Sequence, residues 1–287
     1  MLKSSTLLFT LALFFATACH EGNKRAATTD TGGEVAQYQQ FVAALDQTNV
    51  KSVLQAMTEF RRLFNQMGGD SCDAAFLIFE ACWQNTANHL TAFIRKDTAT
   101  YARLVAVDEF GTQAEVTGTA LQFNNDIREN GYKVVRGKEG IQVVPDWDYA
   151  APRFTRFTSA AMTVYINEVN REDRLRYRQR VWVRPAPEEM VEEIVWREAF
   201  SNRYSSFVLH NQMKEEQRTQ LSFLITGRSD SAWFGTACRY LEQKHTGTAT
   251  CKIVAPYYKA WATNNTTIAA ALLDRYYKQG YINSAAL

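Results

Sequence analysis

Residues 74–94 constrain this 287-residue chain more than any other stretch. They open on Ala-Ala-Phe-Leu-Ile-Phe-Glu-Ala-Cys-Trp, which is apolar almost all round. A helix that is hydrophobic on every side must be covered on every side, so the span predicts a central helix around which the others pack. Glu80 is the single charge in that apolar run. Two readings of it stand: a buried functional carboxylate, or a group at the edge of the face or paired with a basic residue.

The flanking segments repeat the helical period. Val35, Tyr38, Phe41, Val42 and Leu45 share one face, and Val53, Met57, Phe60, Phe64 and Met67 follow at spacings of four and three. Gly68-Gly69 ends that helix, and Asp70 and Ser71 offer an N-cap to the next. A helix restarts at Asp97 or Thr98 and carries Tyr101, Leu104 and Val105. Another runs after Gly111 to Asn130, through Val116, Leu121, Phe123 and Ile127, with Gly131 as its stop. After residue 150 the helical face resumes with Phe154, Phe157, Ala161, Val164 and Tyr165. Pro185-Ala-Pro187-Glu188-Glu189 places proline and acid in a first helical turn. Spans 212–225, 231–244, 251–263 and 266–279 complete the set, punctuated by Gly227, Gly247 and Gly280.

One β signal interrupts the helices. Tyr132 to Arg136 and Ile141 to Val144 are short β-branched runs around a loop with glycine at both ends, and Pro145 closes the second. A two-stranded hairpin is marginal in water by itself, so it must pack on the helices, as a structural flap or as a ligand-contact element. The fold class that follows is mainly α: an array of packed helical hairpins with one small β-hairpin near the middle. No fixed-period repeat signature is present.

The N-terminus supplies an address. Lys3 is the only charge before Cys19, residues 7–15 are apolar apart from Thr10, and Ala16-Thr17-Ala18 are small. A charged start, an apolar run and a small-residue cleavage site make a secretory signal. The run is shorter than the about 20 apolar residues of a membrane-spanning helix. Ala16-Thr17-Ala18-Cys19 resembles the lipid-attachment box of bacterial lipoproteins, with Ala16 where that family most often has Leu. The resemblance covers only about the first 20 residues. It implies cleavage before Cys19, lipid on Cys19 and a cell-envelope location. His20, where an Asp would mark inner-membrane retention in that family, leans the expectation to the outer membrane. The expected organisation is a signal peptide over 1–18, lipidated Cys19 and a flexible tether over 19–33, and a single helical domain over 34–287, with two halves meeting near 132–150. The span 227–282, with its spaced aromatics, resembles secreted helical bacterial proteins, a likeness that implies no activity.

An oxidising compartment makes the other cysteines worth pairing. Cys72 and Cys82 flank one helical stretch. Ten helical residues span about 15 Å, whereas a disulfide holds its Cα atoms within about 7 Å. Cys238 and Cys251 lie either side of a His245-Thr-Gly-Thr248 turn and are the expected bond across a helical hairpin; the alternative is four small buried hydrophobes.

Residues 171–184 hold six arginines. If the segment is extended, Arg174, Arg176, Arg178 and Arg180 line one face, and with Tyr177 and Trp182 they form a candidate anion-binding row for phosphate, sulfate, lipid headgroups or acidic glycans. If it is helical, they spread around the axis. Glu188, Glu189, Glu192, Glu193 and Glu198 follow and offer intramolecular partners.

Catalytic motifs are scarce. The four histidines are scattered, and Glu242-x-x-His245 is half of a di-iron carboxylate signature without its other ligands. GxSxG, GxxxxGK[ST] and GxGxxG are absent. A formal net charge of +2 gives no reason to expect nucleic acid. The expectation is therefore a lipid-anchored envelope protein with a non-catalytic binding or scaffolding role. Its partners would be the membrane, through Cys19, and an envelope protein or polymer, with no metal or cofactor. The alternative is a helical glycan-acting enzyme using acidic residues.

Overall fold

A computed structural model describes residues 31–106, 114–178, 181–226 and 230–283. The leader, Cys19 and most of the tether lie outside the described residues, as does Arg180. The fold is mainly α with one two-stranded antiparallel hairpin.

Helix α1 (Thr31–Ala43) begins inside the span expected as tether. Glu34 in its first turn complements the positive end of the helix dipole. Helix α2 (Ser52–Phe64) buries Val53, Met57, Phe60 and Phe64, the predicted four-three face. Helix α3 (Asp70–Ile94) is the central element. It starts four residues before the apolar run because Gly69, at φ 74°, makes the turn that a side chain would strain. Asp70 therefore sits in the first turn rather than at the cap. Phe76, Phe79 and Trp83 of α3 are fully buried and meet Phe154 and Trp147 through a chain of tilted and edge-on rings.

Short helix α4 (Thr98–Tyr101) is capped by Asp97, whose side chain accepts from the Thr100 amide at 3.2 Å. Helix α5 (Gly118–Glu129) follows and ends before Gly131 at φ 82°. Val116, expected in that helix, precedes it. Strands β1 (Tyr132–Gly137) and β2 (Gly140–Pro145) pair in register from Tyr132↔Pro145 to Gly137↔Gly140, so the connecting loop is two residues rather than four. Helix α6 (Trp147–Phe154), capped by Asp146, leads to α7 (Ala160–Arg176). The Asp73 carboxylate of α3 ties down this junction, accepting from the Ser159 amide at 2.8 Å and the Ser159 hydroxyl at 2.5 Å.

The second half carries α8 (Pro187–Arg203), α9 (His210–Thr226), α10 (Ser231–Lys244), α11 (Ala249–Ala262) and α12 (Thr266–Lys278), with α8 packed on both α9 and α10 and α11 packed on α12. Pro187 opens α8, as the Pro-Ala-Pro-Glu-Glu pattern predicts. Asn264 takes a left-handed φ of 53° and Asn265 caps α12, which turns the chain between α11 and α12.

Two hydrophobic clusters result. The first extends from Tyr38 to Met213 and includes the hairpin residues Tyr132, Val134, Ile141 and Val143. The second spans Met190 to Ile282. The hairpin thus lies inside the first cluster. The change from one cluster to the other falls within α8 and α9: Met190, Val191 and Ile194 belong to the second, Phe200 to the first, with Met213 in the first and Leu221 in the second.

The expected Cys238–Cys251 bond is not formed. Cys72, Cys82, Cys238 and Cys251 are buried free thiols. Cys238 on α10 and Cys251 in the first turn of α11 share the second cluster. Burial raises both thiols, and the neighbouring Cys251 adds to the effect on Cys238. The unbroken α3 separates Cys72 from Cys82 by most of three turns. Among the described residues no helix is long and apolar enough to cross a membrane.

Candidate functional site

Helix α3 is not apolar along its whole length. Gln84, Asn88, Thr91 and Arg95 recur at spacings of four, three and four and place polar groups on one stripe. The stripe forms one wall of an open cleft of about 710 Å³; strand β2 and the C-terminal half of α7 form the others.

The walls are held by side chain to backbone bonds that the hairpin needs. Strand β2 pairs with β1 on one edge only, so its other edge presents unpaired backbone groups. The Thr91 hydroxyl takes both groups of Val143, donating to the carbonyl at 3.1 Å and accepting from the amide at 2.9 Å. Arg95 Nε donates to the Ile141 carbonyl at 3.4 Å. Across the cleft, Gln142 Nε2 donates to the Tyr177 hydroxyl at 3.2 Å. Lys133 of β1 pairs with Asp173 of α7 and stands 3.8 Å from Asp146.

Glu139, Glu172 and Asp173 line the cleft, and the two on α7 are engaged. Burial raises the Asp173 carboxyl, and the Lys133 ammonium works against that rise. Glu172 receives both terminal nitrogens of Arg197, at 2.6 and 2.9 Å, in a bidentate pair that is almost fully buried. Arg176 reaches Glu172 at 3.3 Å and Glu193 at 3.1 Å, and Arg197 Nε reaches Glu216 at 3.3 Å. Burial favours the neutral form of Arg197, but Glu172, Glu216 and Glu193 outweigh it and keep the guanidinium charged. Burial raises Glu193, with Glu172 adding to it and Arg176 opposing.

This ionic belt joins α7, α8 and α9 at the seam between the two hydrophobic clusters. Arg197 falls between Ile194 and Phe200, and Glu216 falls between Met213 and Leu221. Glu80 of α3 stands near the belt, half-buried, with no hydrogen bond or ion pair among the described residues. Burial, with Glu216 adding, pushes its carboxyl up to about 7.

Among the described residues the predicted arginines do not form a row, and Arg180 lies outside them. Arg174 and Arg176 end α7, and Arg178 lies just beyond it. Their carboxylate partners come from different elements: Asp148 for Arg174 at 2.7 Å, Glu172 and Glu193 for Arg176, and Glu189 for Arg178. From Val181 the chain is no longer helical. Trp182 N donates to the Arg136 carbonyl at 2.7 Å, and Val181 bridges to β1 at Arg136. His245 of the Glu-x-x-His pattern meets Glu192 at 2.8 Å, and the Tyr240 hydroxyl meets the same oxygen at 2.7 Å. Among the described residues no group of three His, Cys, Asp or Glu side chains could hold a metal ion.

Gln84, Asn88 and Arg95 are cleft residues that composition and motif reading pass over. Their four-three-four spacing within an otherwise apolar helix was the available signal. Compared with family models, curated proteins and solved structures, the chain matches none.

Proposed function

We propose that this chain is a lipid-anchored protein of the bacterial cell envelope with a non-catalytic binding or scaffolding role. Lipid on Cys19 holds it at the membrane, on the outer-membrane side of the leader's sorting choice, and an envelope protein or polymer occupies the cleft between α3, β2 and α7. One observation carries the reading of the cleft. Its α7 carboxylates are held in ion pairs with Arg197 and Lys133, while Gln84 and Asn88 stand exposed on its rim. Amides and a guanidinium on a fixed scaffold suit recognition. Catalytic carboxylates need one free acid and one free base whose pKa values are pushed apart.

Two experiments test this. The Cys19→Ala protein should leave the membrane fraction; continued partitioning with lipid would remove the anchor. A photo-crosslinking residue at position 88 should yield a discrete adduct in intact envelopes, and one at the exposed position 252 should not. Equal adducts from both, or none from either, defeat the cleft as the binding surface.

A second reading, a glycan-acting enzyme, draws on the raised Asp173 carboxyl and on Glu139 lining the same cleft. It requires that the wild-type protein release soluble fragments from purified envelope glycan and that Asp173→Asn abolish the release.

A further inference from the structure

A second groove lies on the far side of Arg176, between the hairpin turn, the extended segment after α7, and helices α8 and α9. Its volume is about 620 Å³. Arg176 and Tyr177 line both hollows and form the ridge between them. The lining is one-sided in charge: Lys138, Arg176 and Arg184 contribute cations, and no lining residue is acidic. In a chain of 32 basic and 30 acidic residues, a groove lined by three cations and no acid departs from the overall balance.

The carboxylates that serve these cations stand outside the lining and use only part of each. Arg176 bonds to Glu172 and Glu193 through a single terminal nitrogen. Arg184 reaches Asp230 through one terminal nitrogen at 3.3 Å, and its buried Nε has no partner among the described residues. Its guanidinium lies 4.3 Å from the Trp233 ring centre, which fixes its plane. Lys138 sits at the hairpin turn, 4.2 Å over the Trp182 ring, and pairs with no carboxylate among the described residues. The remaining fork nitrogens and the ammonium are therefore held in place with donor capacity to spare, which is the arrangement that a multi-oxygen anion uses.

The rest of the lining specifies what carries the anion. Trp182, Tyr177 and Phe223 offer ring faces, and Gln220 Oε1 is a buried acceptor without a partner among the described residues. Gln220 Nε2 is committed to Glu193 at 2.8 Å, so the free oxygen cannot be exchanged for a donor by turning the amide without losing that bond. An unpaired acceptor beside aromatic faces calls for a hydroxyl donor on a ring.

We propose that this groove binds a phosphate group carried on a sugar ring, with Lys138, Arg176 and Arg184 on the phosphate oxygens and Gln220 accepting from a ring hydroxyl. A dianionic phosphate has three acceptor oxygens for three cations, whereas a carboxylate is satisfied by one guanidinium fork. The sugar phosphate could be free or form the headgroup of a lipid; the chemistry at the groove is the same. This site is separate from the cleft assigned above and does not depend on the anchor.

Calorimetric titration of the Cys19→Ala protein tests it, with glucose 6-phosphate, glucose, inorganic phosphate, and vesicles with or without phosphatidylinositol 4-phosphate as probes. Binding of glucose 6-phosphate, of the phosphoinositide vesicles, or of both, without matching binding of glucose or inorganic phosphate, supports the site and distinguishes the two sources. Lys138→Glu reverses an exposed charge at the hairpin turn without touching the core, and should weaken that binding about tenfold or more. Arg174→Gln removes a cation outside the groove and should change it less than about twofold. Failure of both phosphosugar probes to bind, equal binding of glucose or inorganic phosphate, or indifference to Lys138→Glu overturns the proposal.

Discussion

Replacing Arg197 with Met places an orphaned charge at the seam of the molecule. Arg197 is 5% exposed and makes four polar contacts: two to Glu172 at 2.6 and 2.9 Å, one to Glu216 at 3.3 Å and one to the Glu193 carbonyl at 3.3 Å. Met fills a similar volume, so the expected loss is electrostatic rather than a cavity effect. Glu172, 4% exposed, keeps only the more distant Arg176, at 3.3 Å, as a cation. Breaking a buried pair from one side costs about 3–5 kcal/mol. Removing both members costs less, because no charge is left uncompensated. Glu172→Gln combined with Arg197→Met should therefore recover about 1–3 kcal/mol relative to the sum of the two single losses. Urea unfolding at pH 7.5, followed by tryptophan fluorescence, reads this as a shift of midpoint at constant slope. A deficit below about 1 kcal/mol at pH 7.5, or strict additivity in the double variant, would show that the belt does not hold the two clusters together.

Three further outcomes follow. Glu80 titrates near 7 in the folded protein against the usual 4.5, so the folded state binds more protons than the unfolded state between those values and stability falls as pH rises through that window; Glu80→Gln should stabilise the protein by about 1–3 kcal/mol at pH 8 and by little at pH 4, and a pH-independent effect contradicts the assignment. Thr91→Val strips both outer-edge partners from Val143 and should cost about 1–3 kcal/mol in urea unfolding while raising hydrogen exchange at that amide; unchanged exchange would mean that Thr91 does not secure the strand. Alkylation of the denatured, unreduced protein should find Cys72, Cys82, Cys238 and Cys251 all reactive; two blocked thiols would restore the Cys238–Cys251 bond that the sequence suggested.

The helices were legible because their signals are local. Span 231–244 is α10 to the residue, legible from the glycine breaks at Gly227 and Gly247; the Asp230 cap at its start came only with the structure. The hairpin was also legible, since β-branched residues fill both runs around a glycine-bounded turn, but its register, which pairs Gly137 with Gly140, was not. Where the reading strayed, a neighbour decided. The arginine segment permitted a strand or a helix. The structure splits it after Arg176: up to there α7 stays helical with Glu172 one turn behind, and beyond it the chain turns to follow β1 at Arg136. The cleft was harder to see, because Gln84, Asn88 and Arg95 are unremarkable surface residues until β2 and α7 come to lie opposite them.

By itself, the sequence determined most of the helices, the place of the hairpin, the central place of α3 and the signature around Cys19, because hydrophobic period, glycine breaks and a small-residue box are written within a few residues of one another. Tertiary structure alone decided which charges meet. Glu172 and Arg197 are 25 positions apart, and Lys133 and Asp173 are 40 apart. No local pattern marks such pairs; they are selected by which helix faces converge once the apolar clusters have formed. That is why the arginines, legible as a row in one dimension, became separate partners in three, and why the two grooves either side of Arg176 emerged only with the fold.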